Sequence, residues 1–319
     1  DDLVEPAERR AHVWSYGALR RLPSAQVLGV PTDLDELADS GILSSAGLDA
    51  ARRGLAQPLE PPVGDPAIAA FLEPHLGPEV VERLIDPLVG GINAGDTAAL
   101  SLAATVPQLD AAARSGAGSM VEACRQQRAA VTDPTAPVFH APRGGMGALA
   151  TALVDDLGRL GGATVIDAVG AVEVSGNRWR VTLAGGRLLD ATGVVLATPA
   201  AATAAALRGV STKAATLLGA IPYASVALIA LAVERSAVDR ELDGSGFLVP
   251  RVEGRTLTAC SWTSAKWPHQ HGDGTVWLRA SVGRDGAGSA LALDDDALVA
   301  AVTADLAETM ALGGPVREA

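Results

Sequence analysis

The sequence predicts an α/β (α+β) fold built in pieces, with a helical lobe, part of a dinucleotide-type domain and a separate sheet region. Three observations carry that expectation. Helical spacing of apolar residues runs through 32–136. A helix, a strand, a β-meander and a last apolar strand then follow one another over 137–205, the order of a Rossmann-like second half. Four longer strand patterns and one closing helix occupy 206–319, and a short β element fills 1–31. At 319 residues, 48% hydrophobic and 19% charged, the chain has apolar material for more than one core.

Each element has a local reason. His12-Val-Trp-Ser-Tyr16 and Ala18-Leu-Arg-Arg-Leu22 read as two short strands around Gly17. Thr32-Asp-Leu-Asp35 offers a helix cap with acidic groups in the first turn, where the helix dipole favours them. Asp65-Pro66 is expected to start a helix, and Gly77-Pro78 to end it and start the next. Val81, Leu84, Ile85 and Leu88 then form one α-helical stripe, with the glycines after it read as the helix end. Further on, Arg143-Gly-Gly-Met146-Gly147 leads into a helix striped by Leu149, Leu153, Leu157 and Leu160 and stopped by Gly161-Gly162. Ala163–Val169 reads as a strand, Val172–Val174 and Arg178–Leu183 as a hairpin, and Gly193–Pro199 as a buried strand. Strands are expected at Tyr223–Glu234, Gly246–Pro250, Thr256–Ser261 and Thr275–Val282. The last helix takes Asp294 or Asp295 as cap, carries Leu298, Val302, Leu306 and Met310, and runs to Gly313.

Charge and cysteine usage exclude several classes. The formal net charge is −12, and no run of five Lys/Arg occurs, so a phosphate-binding face for nucleic acid is excluded. Within 32–136, six Lys/Arg stand against fifteen Asp/Glu. Cys124 and Cys260 form no CxxC pair, which fits a reducing compartment rather than a disulfide scaffold. No signal peptide is read, and no apolar run reaches a membrane-spanning length of about 18 residues. The frame opens without Met and closes on Pro315-Val-Arg-Glu-Ala319, which reads as an internal piece of a longer protein.

Familiar catalytic motifs are missing. No G-x-G-x-x-G, Walker A, G-x-S-x-G or H-E-x-x-H occurs. His269-Gln-His271 reads as a polar turn and Asp294-Asp-Asp296 as a helix cap, so no metal is expected. Three features stand out instead: Gly90-Gly-Ile-Asn-Ala-Gly-Asp96 with Leu100-Ser101, Val194-Val-Leu-Ala-Thr-Pro199, and Trp262 to His269.

Together these features resemble one family, the FAD-dependent porphyrinogen oxidases of haem synthesis (protoporphyrinogen/coproporphyrinogen oxidases), within the amine-oxidase-type flavoproteins. Asp86-Pro-Leu-Val89 directly ahead of the glycine segment, Val30-Pro-Thr-Asp33, Arg143-Gly-Gly-Met146, Ile221-Pro-Tyr-Ala-Ser225 and Asp243-Gly-Ser-Gly-Phe247 add to the likeness. The resemblance implies FAD as cofactor, a lobe over 32–136 that contacts membrane in bound relatives, and a substrate-roofing sheet from 1–31 and 206–319. It implies that Val169, Ala197, Thr198 and Pro199 face the cofactor, and that the Gly91 carbonyl receives a pyrrole N–H. Arg10, Ile92, Arg143, Met146, Lys266 and His269 are the implied substrate contacts. Several relatives carry a propionate-binding Arg where this chain has Ala11, one position from Arg10.

The implied activity is O₂-dependent oxidation of coproporphyrinogen III to coproporphyrin III, with protoporphyrinogen IX as the alternative substrate. Another amine-oxidase-like flavoprotein and a redox-inactive tetrapyrrole-binding module are the competing readings. The acidic lobe points to a cytoplasmic protein with at most weak membrane association, and a homodimer is among the expected assemblies. One test follows directly. These 319 residues contain no glycine fingerprint to hold a pyrophosphate, so, purified alone, they are expected to show no stoichiometric flavin band in the visible spectrum.

Overall fold

A computed structural model describes all residues except Asp1, Thr132, Pro134, Thr135, Val138, His271, Gly272, Asp273 and Ala287. The chain divides into two units, one of residues 1–144 with 224–319 and one of residues 145–223.

The larger unit is organised around a seven-stranded sheet. Its strand order is Val316–Glu318, Ala227–Glu234, Thr275–Val282, Leu257–Trp262, Gly246–Leu248, His12–Ser15, Ala18–Arg21. All pairings are antiparallel except that of Gly246–Leu248 with His12–Ser15, which is parallel. The N-terminal hairpin thus joins strands more than two hundred residues away. Alternation along that hairpin serves two cores at once. Val13 is fully buried among the helices, with Leu37, Ile68, Leu72, Ile85, Leu109 and Met120. Its neighbour Trp14 packs in the second cluster, with Leu231, Trp262, Leu278 and the terminal helix residues Val302 and Leu306. The two free cysteines are split between these cores, Cys124 among the helices and Cys260 in the sheet, and burial pushes both thiols up to about 12.

Most elements form where the sequence expects them, and the departures have physical causes. The terminal helix spans Asp295–Met310 and is capped by Asp294, whose side chain accepts from Ala297 N. It stops at Ala311 in a left-handed conformation, φ 54°, rather than running on to Gly313. The first helix, Leu34–Ser40, takes Asp33 as its cap. Asp65 starts no helix at Pro66. Its carboxylate accepts from Ser101 Oγ at 2.6 Å and Ala103 N at 3.0 Å, and so serves the start of the later Leu102–Thr105 helix. The intervening helix begins only at Ile68 and runs to Leu76, where Gly77-Pro78 closes it as expected.

The largest departure lies at Val81–Gly90, a π-helix with Pro87 inside it. Its wider winding carries the buried stripe one residue on, so Val89 is buried with Val81 and Ile85 while Leu88 is only half-buried. Neither Gly90 nor Gly91 ends the helix. Both are right-handed, and the turn comes at Ala94, φ 49°.

The smaller unit holds a three-stranded meander, Val169–Ser175, Arg178–Leu183 and Leu188–Ala191, and the helices Met146–Arg159, Ala200–Leu207 and Thr212–Gly219. Two expected strands are absent here. Residues 163–168 and 193–197 belong to no ladder, and Ile166 and Val195 are 98% and 93% exposed. A segment becomes a strand only when a neighbour pairs with it along its length; the Ala168 carbonyl accepts from Ala184 N at 2.8 Å, but no ladder forms along either segment among the described residues. The leucine stripe of Met146–Arg159 exists as a pattern, yet Leu149, Leu153 and Leu157 are all exposed.

Close packing of helices sets a clear stability test. A Cβ at Gly54 would lie 2.3 Å from the His75 carbonyl oxygen, so the Ser45–Leu55 and Ile68–Leu76 helices touch backbone to side there. Gly54→Ala is expected to destabilise the larger unit by about 1–3 kcal/mol despite alanine's better helix propensity. A urea-unfolding midpoint that does not fall would contradict this contact.

Candidate functional site

The exposed turn after the π-helix is held by a buried carboxylate. Asp86, 6% exposed, accepts from Thr97 N at 3.3 Å and Thr97 Oγ1 at 3.0 Å. The Arg251 guanidinium lies 3.8 Å from it, and also donates to the Gly95 carbonyl at 3.2 Å and the Asp285 carbonyl at 3.0 Å. Asp285 N in turn donates to the Ala94 carbonyl at 2.7 Å. Gly90 is packed tightly, since a Cβ would come within 2.9 Å of Gly95 O. These bonds fix the path of residues 86–97 from both sides.

Gly91 and Ile92 stand at the open end of this construction. Ile92 is 71% exposed, and Gly91 and Asn93 are exposed with it. A Cβ at Gly91 would meet only Leu248 Cδ2, at 3.8 Å, and the backbone there is ordinary right-handed helix. Neither packing nor dihedral angle within the chain requires glycine at this position. Gly95 N bonds to Gly90 O at 3.1 Å, which leaves the Gly91 carbonyl at the unsatisfied end of the helix. Beside the same turn, a cavity of about 210 Å³ is lined by Glu73, Asp86, Asp96, Thr97 and Arg251 among others.

The expected cations are placed differently from one another. Arg10 is spent on Glu8, with Nη2–Oε2 at 3.1 Å. Its carbonyl accepts from Ser245 N and Oγ at 2.7 and 3.0 Å. Ser245 and Lys266 share a small cavity of about 130 Å³ with Phe139. Lys266 Nζ lies 5.1 Å above the Phe139 ring and 5.8 Å from that of Trp267. Burial, then the Arg279 charge, pulls its pKa below the usual lysine value. Arg143 and His269 are exposed. The structure therefore brings Gly91 and Ile92 together at one turn, and links Arg10 to Lys266 through Ser245. His271 lies outside the described residues.

In the smaller unit, Met146 opens its helix and is exposed. Val169 begins the meander at 45% exposure, and Ala197, Thr198 and Pro199 form an exposed, unladdered run. Thr198 Oγ1 is 2.8 Å from Thr203 Oγ1, and Ala200 N donates to the Tyr223 hydroxyl oxygen at 3.0 Å, which shapes the start of the helix behind Pro199. Exposed small and apolar side chains such as Val169, Ala197 and Pro199 fit one flank of a flat heteroaromatic cofactor. No glycine-rich loop for a pyrophosphate accompanies them in the sequence.

Sequence reasoning quoted Asp86 and Asp243 only as parts of motifs and His12 only as part of a strand, and gave none of them, nor Arg251, a role in the site. His12 is buried against Trp262, with ring centroids 5.3 Å apart, and its Nε2 is 3.4 Å from Asp243, which also binds Arg21 at 2.8 Å. Burial lowers the His12 pKa most, Asp243 opposes the shift, and Arg240 adds to it. His75 is lowered by burial against the pull of Glu60. Above about pH 6.5 both histidines are neutral folded or unfolded. Below it the unfolded chain takes up protons that the folded chain refuses, so stability is lost as pH falls from there toward the folded values. The paired carboxylates Glu79 and Asp243, held low, lose their contribution only at more acid pH. The fall in Tm between pH 7.5 and 5.5 should accordingly be shallower in His12→Gln than in the parent chain, and an equal slope would refute the assignment.

Residues 3–317 match the family of flavin-containing amine oxidoreductases. The chain is 30% identical to coproporphyrinogen III oxidase of Bacillus subtilis over 98% of its own length and 67% of that protein. It is 33% identical to the Mycobacterium leprae coproporphyrinogen III oxidase over 94% of its length and 64% of the relative. A crystal structure from Exiguobacterium sp. 255-15, provisionally assigned as a protoporphyrinogen oxidase, superposes at TM-score 0.85 with 28% identity, covering 99% of this chain and 68% of that one. The chain thus spans about two thirds of the length of the relatives it matches.

Proposed function

The chain belongs to the flavin-containing amine oxidoreductases, and from that premise we propose that the whole protein oxidises coproporphyrinogen III to coproporphyrin III, with O₂ as electron acceptor. The names of its relatives in Bacillus and Mycobacterium support the reaction class and the substrate. The observation that carries the reading to a residue is Gly91, a glycine that nothing inside the chain requires, on an exposed turn held rigid from beneath.

A bound flavin would supply acceptance of a hydride from a meso carbon and return of the electron pair to O₂ as peroxide, a cycle needed three times because the macrocycle loses six hydrogens, three as hydride and three as protons, on becoming a porphyrin. Val169, Ala197, Thr198 and Pro199 are the residues that would line its flank. The remaining work falls to positioning, because an aligned macrocycle needs little acid–base help. Gly91 leaves a flat surface on which the ring can rest, and its terminal carbonyl is available to accept a pyrrole N–H as that nitrogen loses its proton. Ile92 and Leu248 supply apolar contact beside it. The Asp86–Thr97–Arg251 bonds keep the carbonyl from drifting as the substrate arrives.

A chloroplastic Arabidopsis thaliana protoporphyrinogen oxidase, 28% identical over 96% of this chain, favours protoporphyrinogen IX as the second reading. Comparing kcat/KM for the two porphyrinogens on the full-length enzyme decides between them, and a clear preference for the vinyl-bearing ring would reverse the substrate assignment.

Gly91→Ala separates a structural from a catalytic role. In a helix with open space around the new methyl, the variant is expected to match or exceed parent stability by about 0.5–1 kcal/mol. Its porphyrinogen kcat/KM is nonetheless expected to fall by about tenfold or more, since the methyl stands where the ring must lie. Full turnover in a folded Gly91→Ala enzyme would remove Gly91 from the site.

A further inference from the structure

A substrate with four carboxylates poses an electrostatic problem for this chain. The net charge is −12, so a tetra-anionic ring must be held by local cations. The cations expected from the sequence supply little: Arg10 is neutralised by Glu8, Arg143 and His269 stand in open solvent, and Lys266 faces aromatic rings. A different place is better equipped. A cavity of about 270 Å³ is lined by Arg251, Arg255 and Arg284 with Thr256 and Ser289, and no Asp or Glu lines it among the described residues.

The three guanidinium groups are not equivalent. Arg255 is balanced by Asp305 at 3.3 Å and Glu308 at 2.7 Å. Arg251 is shared between two carbonyl oxygens and the more distant Asp86 and Asp96, at 3.8 and 4.0 Å. Arg284 is half-buried and makes no ion pair or side-chain hydrogen bond among the described residues. Burial, followed by repulsion from Arg251, holds its pKa below the usual arginine value, while Asp86 and Asp96 attract it only from a distance. A guanidinium that has lost part of its water and gained no partner is a standing cost, which an incoming carboxylate would offset.

Its position is fixed by the fold. Arg284 follows the Thr275–Val282 strand through Gly283, whose φ of +93° and 2.6 Å Cβ approach to Ser225 O admit no larger residue without strain. The next residue, Asp285, is bonded through its N–H to Ala94 O, so the Arg284 loop is tied to the turn that presents Gly91.

We infer that Arg284, with Arg251 behind it and Thr256 and Ser289 beside it, seats a propionate carboxylate of the porphyrinogen whose ring lies over Gly91. This inference rests on the substrate class proposed above. In the flavin-loaded, full-length enzyme, Arg284→Ala should raise KM for coproporphyrinogen III and the Kd for coproporphyrin III, read by porphyrin fluorescence titration, by about 10–100-fold, with a smaller effect on kcat. Arg284→Lys keeps the charge without the forked geometry and should recover part of the loss. Flavin content and Tm report whether each variant is folded.

KM and Kd within twofold of the parent in Arg284→Ala, or a lysine variant no better than alanine, would overturn the seat while leaving the function standing. A parent enzyme that neither binds nor oxidises coproporphyrinogen would overturn the functional reading itself, and the seat with it.

Discussion

The buried carboxylate of Asp86 is the constraint on which the candidate site depends. It sits inside a π-helix, is almost free of solvent, and takes both donors of Thr97. Because Thr97 lies eleven residues further along the chain, those two bonds close the Gly90–Asp96 turn against the helix that precedes it. Arg251 completes the arrangement from the short turn Arg251–Glu253, lying 3.8 Å from the carboxylate and donating to the Gly95 carbonyl. A carboxylate buried with this much hydrogen bonding is held in place. The wide winding of the helix is what brings Asp86 inward, since the same turn moves Leu88 partly outward and Val89 inward.

Much of this architecture was legible from spacing. The N-terminal hairpin, the Thr275–Val282 strand, the capped terminal helix and the Gly77-Pro78 break all follow from local residue chemistry and stand where that chemistry places them. The π-helix was not legible, because Val81, Leu84, Ile85 and Leu88 fit an α-helical stripe equally well and only the tertiary demand to bury Asp86 and Val89 selects the wider turn. Asp65 was misread for a related reason. A carboxylate before Pro looks like a helix start, yet its partners come from Ser101 and Ala103, which no local pattern reveals. The family likeness included Asp86 with the glycine segment but neither what its carboxylate holds nor Arg251 beside it. Arg251 and Arg284 sit in short connections whose sequence carries no periodicity, and only the folded sheet brings them to one cavity.

The residues of the smaller unit show how far a pattern can outrun its context. Its leucine-striped helix and two apolar runs have the composition of buried elements, but they are exposed among the described residues. Helical periodicity survives without a partner because a helix satisfies its own backbone. Strand character does not, because a ladder needs a second chain segment. The same sequence-level signal therefore gave a correct helix at Met146–Arg159 and failed for the run ending at Pro199.

The two buried thiols acquire meaning once the proposed reaction is set beside them. Reoxidation of a flavin by O₂ yields peroxide within the enzyme at every cycle, and peroxide attacks thiolates far faster than thiols. Cys124 and Cys260 lie in separate cores and are held near 12, so neither offers a thiolate at neutral pH. Over these 319 residues the sulfur chemistry most vulnerable to the protein's own by-product is kept silent by burial alone. Along this stretch of chain, peroxide would reach Met146, 62% exposed, before either cysteine.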